Sequence, residues 1–574
     1  MRKLRYSLTN KGCILIFCMI LLAINLYGFN KRYIPWFTDE IGYWASAALI
    51  RGYNWKEVMS TGGYYGFGYG LILSLIIGIS DMRLKFYCAQ FINIIFVLTI
   101  YILIVSTLKR FLKDSNGIEI AGICFSCMCY PYFQVYTRFS MSEIVLTCIY
   151  IFSVYALLRF YESRKLGWGI MIVICTFFMF SIHLRSLVVV ISLLITLIYM
   201  LVNEVEKVSR RKIIFCILGC VAMLFVVWNI KNYVVHNLYT LPQHGNYDIG
   251  GLNKGNNNFS SYFWILSNLF KKDILKSVVI SFEGKVFYIL AGSFTLLFLS
   301  SRWVLRRIFS KGTSQNPILV YILLGFWGEV ALTIISMSGV ARFDNLLYGR
   351  YYEAFMLPLL CIGVYVLYNG LYKPIFCIAN IAFMLILSVD LYHYIRDKDF
   401  NESIDMQISA VPGWNIACFA ENRELYTVSI ALVATCVIIL LLILIKKNRK
   451  KILPFLTILW ILLGQICLKN NAYNGYWTAD KLQETAIAIH DMDEKIFYLL
   501  PDELKDSKGA SWRDMLYLQY MLVDKKLYVI NEQGIQDVNK DEVIVIEKNI
   551  PNYENYVIKD KIIEENELML LMTG

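Results

Sequence analysis

Runs of about 17–25 apolar residues recur along most of this chain, each long enough to cross the hydrocarbon of a bilayer as one helix. Charged residues make up only 17% of the sequence, where a soluble protein carries about 25%. The chain is therefore expected to be an all-α polytopic membrane protein. The first run, Cys13 to Phe29, is followed by Lys31-Arg32-Tyr33 and not by a small-residue cleavage site, which predicts an uncleaved anchor. Further spans are expected at roughly 86–107, 118–136, 142–160, 168–183, 186–202, 212–232, 286–305, 318–338, 352–370, 374–391, 425–445 and 452–468, about thirteen in all. The net charge of +12 does not point to nucleic acid, because the basic residues sit between spans. Arg164-Lys165, Lys207 to Lys212, Arg302 to Lys311 and Lys446 to Lys451 all fall in loops that this bias assigns to the cytoplasm. The N-terminus is then cytoplasmic and the tail extracytoplasmic, as in an integral protein of a bacterial plasma membrane.

Three outside segments are long: 30–85, 233–285 and 392–424. The division expected is a membrane domain over 1–468 and a soluble domain over 469–574. In the tail, 495–500, 527–530 and 543–546 are short strand-like runs between polar stretches, which predicts a small α/β or α+β unit with its own core. The fifteen cysteines lie mostly inside apolar runs, and the five histidines are scattered, so neither a disulfide framework nor a metal site is indicated.

The chemistry concentrates in the first outside loop. Trp36-Phe37-Thr38-Asp39-Glu40-Ile41-Gly42-Tyr43-Trp44 places two carboxylates at the start of a short helix beside the membrane, with Thr38 expected as N-cap. Acidic residues there complement the helix macrodipole, which is reason enough for them in many proteins. Next to a bilayer, however, ionised groups are costly and tend to be functional. The loop continues Gly62-Gly63-Tyr64-Tyr65-Gly66-Phe67-Gly68-Tyr69-Gly70. Its glycines allow close backbone approach and its rings suit a sugar or the bilayer edge, and 68–80 is expected to lie in the interface.

An acidic pair on a juxtamembrane helix, many spans and an outside C-terminal domain resemble the GT-C glycosyltransferases. The layout is most similar to the aminoarabinose transferases of lipid A and the protein O-mannosyltransferases. Arg342 to Glu353 (RFDNLLYGRYYE) resembles the Gly-Arg-Tyr-x-Glu pattern of bacterial members. The chain departs from the aminoarabinose transferases in having Tyr64-Tyr65-Gly66-Phe67-Gly68 where they carry Lys-Pro-Pro. It also lacks the Trp-Trp-Asp signature of oligosaccharyltransferases.

The resemblance implies inverting transfer of a hexosyl or pentosyl group from a polyprenyl-phosphate or diphosphate donor. The acceptor would be an extracytoplasmic glycan, lipid or protein, with no nucleic acid involved. Asp39 and Glu40 are the catalytic candidates. Because neighbouring residues on a helix point about 100° apart, both cannot aim at one atom, and Asp39 is preferred as base with Glu40 secondary or structural. Arg350, Arg342, Arg185, Arg138 and Lys231 are candidates for the donor phosphate, and Tyr43, Tyr64, Tyr65, Glu143, His183 and Glu353 for lining the substrate. Some relatives use a divalent metal ion, but no cluster in this sequence demands one. A polysaccharide polymerase or ligase and a lipid-linked-sugar flippase are the rival readings. The acidic pair favours the transferase over the first. The long outside loops and the absence of matching halves favour it over the second.

Overall fold

The computed structural model of the protein describes residues 2–35, 37–60, 64–112, 116–203, 208–239, 266–310, 316–338, 342–400, 405–417, 421–471, 476–500, 510–550, 552–558 and 561–573. Trp36, Gly62, Gly63 and, within the expected 233–285 segment, residues 240–265 lie outside these residues. The membrane part runs α1 (Arg2–Leu26), α2 (Thr38–Ile50), α3 (Lys56–Met59), α4 (Phe67–Leu73), α5 (Met82–Phe111), α6 (Gly117–Met128), α7 (Pro131–Tyr136), α8 (Glu143–Ser163), α9 (Leu166–Ile182), α10 (Leu187–Asn203) and α11 (Arg210–Leu238). It continues through α12 (Lys272–Gly292), α13 (Leu296–Phe309), α14 (Asn316–Ser336), α15 (Phe343–Leu346), α16 (Arg350–Tyr368), α17 (Pro374–Arg396), α18 (Pro412–Ile416), α19 (Arg423–Ile445) and α20 (Ile452–Asn471). Among the described residues, ten helices are long and apolar enough to cross a membrane, and Gly117–Met128 and Leu166–Ile182 are shorter apolar helices. The protein is an integral membrane protein.

Two expected spans are interrupted. The run over 118–136 breaks after Met128, where Pro131 starts α7. The run over 286–305 breaks at Phe294 and Thr295, both with left-handed φ (49° and 64°). Apolar composition is continuous across both breaks, so hydropathy does not register them. The expected interfacial helix over 68–80 is the seven-residue α4, which gives way to turns after Leu73.

The tail contains α21 (Tyr476–His490), α22 (Ala510–Met521) and a sheet of β1 (Ile496–Leu499), β2 (Leu527–Ile530), β3 (Val543–Glu547), β4 (Ile562–Glu565) and β5 (Met569–Thr573). Its order is β2-β1-β3-β5-β4, with β1 parallel to β2 and β3 and with β5 antiparallel to β3 and β4. Strand alternation splits the residues between two faces. Leu499, Ile544, Ile546, Leu570 and Met572 make a small core, while Tyr498, Val545 and Leu571 join the main core of the protein.

The tail is fastened to the first loop. Trp55 Nε1 donates to the Val523 carbonyl (2.9 Å), Lys85 Nζ to the Tyr520 carbonyl (3.2 Å), and Lys526 pairs with Glu57 (3.3 Å). The Trp44 and Tyr520 rings meet edge to face at 5.3 Å. The tail therefore lies on the same side of the bundle as the acidic pair.

Candidate active site

The acidic pair divides its labour as helix geometry requires. Glu40 is fully buried; its Oε2 takes the Arg32 guanidinium and the Phe37 backbone N–H (3.1 Å), and its Oε1 takes the Ser140 backbone N–H (2.7 Å) and hydroxyl (3.0 Å). Phe37, not Thr38, is thus the N-cap, and Glu40 at the third helical position closes back on it. Arg32 is further held by the Phe139 ring, 3.9 Å from the guanidinium carbon. The Glu40 carboxylate is thus engaged on both oxygens by neighbouring parts of the fold.

Asp39 faces the other way, with 27% of its side chain exposed. Its Oδ1 accepts the Tyr65 hydroxyl (2.7 Å) and its Oδ2 accepts Arg350 Nη1 (2.6 Å). Arg350 Nε also donates to Glu143, so one buried guanidinium bridges two carboxylates from α2 and α8. Burial alone would raise the Asp39 carboxyl. The Arg350 charge and the hydrogen bonds from Arg350 and Tyr65 outweigh it and hold Asp39 below the usual carboxylate range. Burial and the Asp39 charge push the Tyr65 phenol well up, so it stays protonated and donates.

Gly42 makes this contact possible. A Cβ there would fall inside the Tyr65 ring, which lies across α2 to reach Asp39. Gly66 and Gly68 likewise face the backbone of Ser181 and Ile182, and Gly70 faces Ser46. The glycine-aromatic stretch therefore packs α4 against α2 and α9 and does not present a row of rings to a sugar. We expect Gly42→Ala and Tyr65→Phe to share one defect, loss of the Tyr65–Asp39 bond. A hydrogen bond to a charged group contributes about 1.5–3 kcal/mol, so both variants should lose stability on about that scale. Parallel thermal unfolding in detergent checks this.

Segment 137–143 braids the outer ends of α1, α2 and α8. Thr137 Oγ1 donates to Asn25 Oδ1 (3.0 Å), Arg138 to the carbonyls of Asn25 and Tyr27 (2.5 Å each), and Ser140 to Glu40. Ser142 Oγ and Tyr43 share a hydrogen bond of 2.6 Å, and Glu143 receives Arg350. Arg138 thus closes the carbonyl end of α1, where a cation is favoured.

A narrow cleft, with about 10 Å³ open to a water-sized molecule, lies beside Arg350 and Glu143, lined also by Ser142, His183, Arg185 and Glu329. The Arg185 guanidinium carbon sits 3.6 Å from the centroid of the Tyr351 ring. His183 Nδ1 accepts the Arg185 backbone N–H (3.2 Å). Burial, with the Arg185 and Arg350 charges, pushes His183 down to about 3, so it is neutral. Glu329 on α14 was not among the expected site residues. It is buried, its Oε2 has no hydrogen-bond partner among the described residues, and Arg185 is its electrostatic neighbour. A carboxylate inside the apolar run 318–338 is itself a signal of a site.

Of the expected residues, Glu143, His183, Arg185 and Arg350 line the cleft, Asp39 joins them through Arg350, and Tyr65 and Tyr43 stand behind. The others are used elsewhere. Arg138 caps α1, and Arg342 bonds Asp344 (2.9 Å) and Asn345 (3.2 Å). Lys231 lies 5.6 Å from the centroid of the Tyr64 ring and 4.5 Å from that of Trp228, and Tyr64 meets Tyr239 edge to face. Glu353 Oε1 accepts the hydroxyls of Tyr130 (3.0 Å) and Tyr288 (2.7 Å) and is not among the residues lining the cleft. Among the described residues, no group of three or more His, Cys, Asp or Glu is arranged to hold a metal ion.

Residues 67–230 match the dolichyl-phosphate-mannose-protein mannosyltransferase family. That stretch contains Glu143, His183 and Arg185; Asp39 precedes it and Arg350 follows it. No curated protein matches the chain. Among solved structures, ArnT from Cupriavidus metallidurans in the apo state is similar at a TM-score of 0.51 with 11% identity, over 98% of each chain. The same protein bound to undecaprenyl phosphate gives 0.49 and 10%, again over 98% of each chain. The Archaeoglobus fulgidus oligosaccharyltransferase in its apo form gives 0.44 and 10%, over 92% of this chain and 65% of that one. The likeness to apo ArnT is one of fold. The protein has the GT-C fold, many membrane helices with a small C-terminal α/β domain, and it resembles ArnT and the protein mannosyltransferases.

Proposed function

We propose that the protein is a glycosyltransferase that moves a sugar from a polyprenyl-phosphate or diphosphate donor to an acceptor on the side of the membrane where its C-terminal domain lies. The observation that carries this reading is the Asp39–Arg350–Glu143 bridge at the mouth of the cleft. The match over 67–230, to a family named for transfer of mannose from dolichyl phosphate, supports the choice of donor.

In the reaction, an acceptor hydroxyl attacks the anomeric carbon as the bond from that carbon to the phosphate oxygen breaks. Configuration inverts, the hydroxyl proton passes to Asp39, and polyprenyl phosphate leaves with the bonding electrons. Two of the Arg350 donating positions are held by carboxylates, Nε by Glu143 and Nη1 by Asp39. The incoming phosphate instead takes Arg185 and draws Arg350 away from Asp39. That exchange turns a strongly acidified, resting Asp39 into a better proton acceptor only when donor is bound.

A pH dependence follows. In the free enzyme, a carboxylate held low loses its charge only as pH falls through that lowered value, and His183 protonates only near 3. Neither should contribute a limb to kcat/KM between about pH 5 and 7.5. In the donor complex, the Asp39 pKa rises, so the acid limb of kcat should lie at higher pH than that of kcat/KM. Profiles of the two constants check this, and coincident acid limbs would count against the exchange.

The reading as a whole is tested by polyprenyl-phosphate binding to the purified protein. Arg185→Gln should weaken binding by about tenfold or more, the scale of one charged contact to a phosphate. Unchanged binding would remove Arg185 from the donor site.

A further inference from the structure

A second, small cavity, with about 30 Å³ open to a water-sized molecule, lies between α13, α16 and α17 and is open to its surroundings. Its lining includes Val366 at the end of α16 that is remote from Arg350. Sixteen residues at 1.5 Å each set the two sites about 24 Å apart along that helix, close to the thickness of a bilayer core. The cavity is therefore at the opposite face of the membrane from the reaction site and has no part in the chemistry proposed above.

Its lining is basic and aromatic. Arg302, Arg306 and Lys373 contribute three cations, Trp303 and Phe376 supply rings, and none of the lining residues is acidic. The Arg302 guanidinium carbon is placed 4.6 Å from the centroid of the Phe376 ring. Among the described residues, no ion pair engages Arg302, Arg306 or Lys373. Gly370 adopts a left-handed φ of 65° and ends α16, with Leu371 N–H returning to the Val366 carbonyl (2.9 Å). That turn delivers Lys373 as N-cap of the 23-residue α17, with Pro374 first in the helix. Both Lys373 and Phe376 line the cavity, so the first turn of α17 faces it, where a helix favours an anion. Beside the cations, Leu371 and Ile375 are 50% and 65% exposed. An anion held here has apolar surface next to it, as a lipid chain requires and a free phosphate does not.

We propose that this cavity binds the phosphate head group of an anionic glycerophospholipid from the leaflet opposite the reaction site. Ordinary basic residues at helix ends snorkel outward into water. Arg302 is instead drawn in, half-buried, against the Phe376 ring, while Arg306 and Lys373 stand exposed at the rim of the same space, as in basic cavities between helices that hold acidic lipids.

The test is native mass spectrometry of the full chain with phosphatidylglycerol and phosphatidylcholine of matched acyl chains, and with sodium phosphate as competitor. Each cation near a membrane surface favours an anionic lipid by about fivefold. Phosphatidylglycerol should bind on the order of tenfold or more tighter than phosphatidylcholine. The double variant Arg302→Gln/Arg306→Gln should erase the preference, Arg302→Lys/Arg306→Lys should keep it, and millimolar phosphate should leave bound lipid in place. Equal binding of the two lipids by the native protein would overturn the proposal, a result that needs no variant to fold. So would a full preference in the glutamine variant, or displacement of lipid by phosphate. The readout is binding at a site apart from the cleft, so it stands or falls separately from the transferase reading.

Discussion

Replacing Asp39 by Asn lowers kcat by about 10²–10⁴-fold, the range of a positioned general base, and leaves donor binding intact or slightly tighter. The side chain keeps its size and can still accept from Tyr65 or Arg350, so the fold should be preserved; Asp39 is partly exposed and no buried partner depends on its charge alone. The substitution also removes one of two negative charges flanking Arg350. An anionic donor then meets less repulsion and finds the guanidinium less occupied, which is why its affinity should not fall. Steady-state kinetics with a separate donor-binding measurement give both quantities. A loss of donor affinity equal to the loss of kcat/KM would make Asp39 a binding residue instead of a base.

Arg350→Gln should damage both stability and transfer, for different reasons. Glu143, 5% exposed, would keep its charge without the cation that neutralises it, and breaking a buried pair by removing one partner costs about 3–5 kcal/mol. The variant should unfold at lower temperature in detergent and show no measurable transfer. Adding Glu143→Gln separates the two effects. The double variant has no uncompensated buried carboxylate and should recover most of the stability, while transfer stays low because Arg185 alone is left to offset the charge growing on the departing phosphate. Recovery of transfer together with stability would mean that Arg350 only holds the fold together.

The membrane class and the juxtamembrane helix carrying the acidic pair were legible because both follow from local pattern. Long apolar runs have one outcome in water and lipid. Carboxylates one residue apart on a helix must point to different neighbours, and Asp39 and Glu40 do. The strands over 496–499, 527–530 and 543–547 are rich in β-branched and aromatic residues and could be read directly. Met569–Thr573 and Ile562–Glu565 are not, and only pairing makes them strands, β5 on β3 and β4 on β5.

The cationic residues were harder, since an arginine's role depends on what the fold brings to it. Arg138 meets carbonyls more than a hundred positions away, and Glu353 meets Tyr130 and Tyr288. Neither partner is visible from local sequence. Glu329 was visible, as a charge in an apolar run, and its neighbour Arg185 supplies the reason for it.

The central claim is transfer from a lipid-linked donor, and the most direct measurement follows labelled sugar in proteoliposomes containing the native protein and an envelope acceptor fraction. Parallel reactions receive polyprenyl-phosphate sugars or nucleotide sugars carrying the same label. The account predicts label on the acceptor from a polyprenyl-phosphate donor, with polyprenyl phosphate released in equal amount, and none from nucleotide sugars. Label that moves only from nucleotide sugars, or polyprenyl-phosphate sugars that bind across the panel and are never consumed, would contradict it.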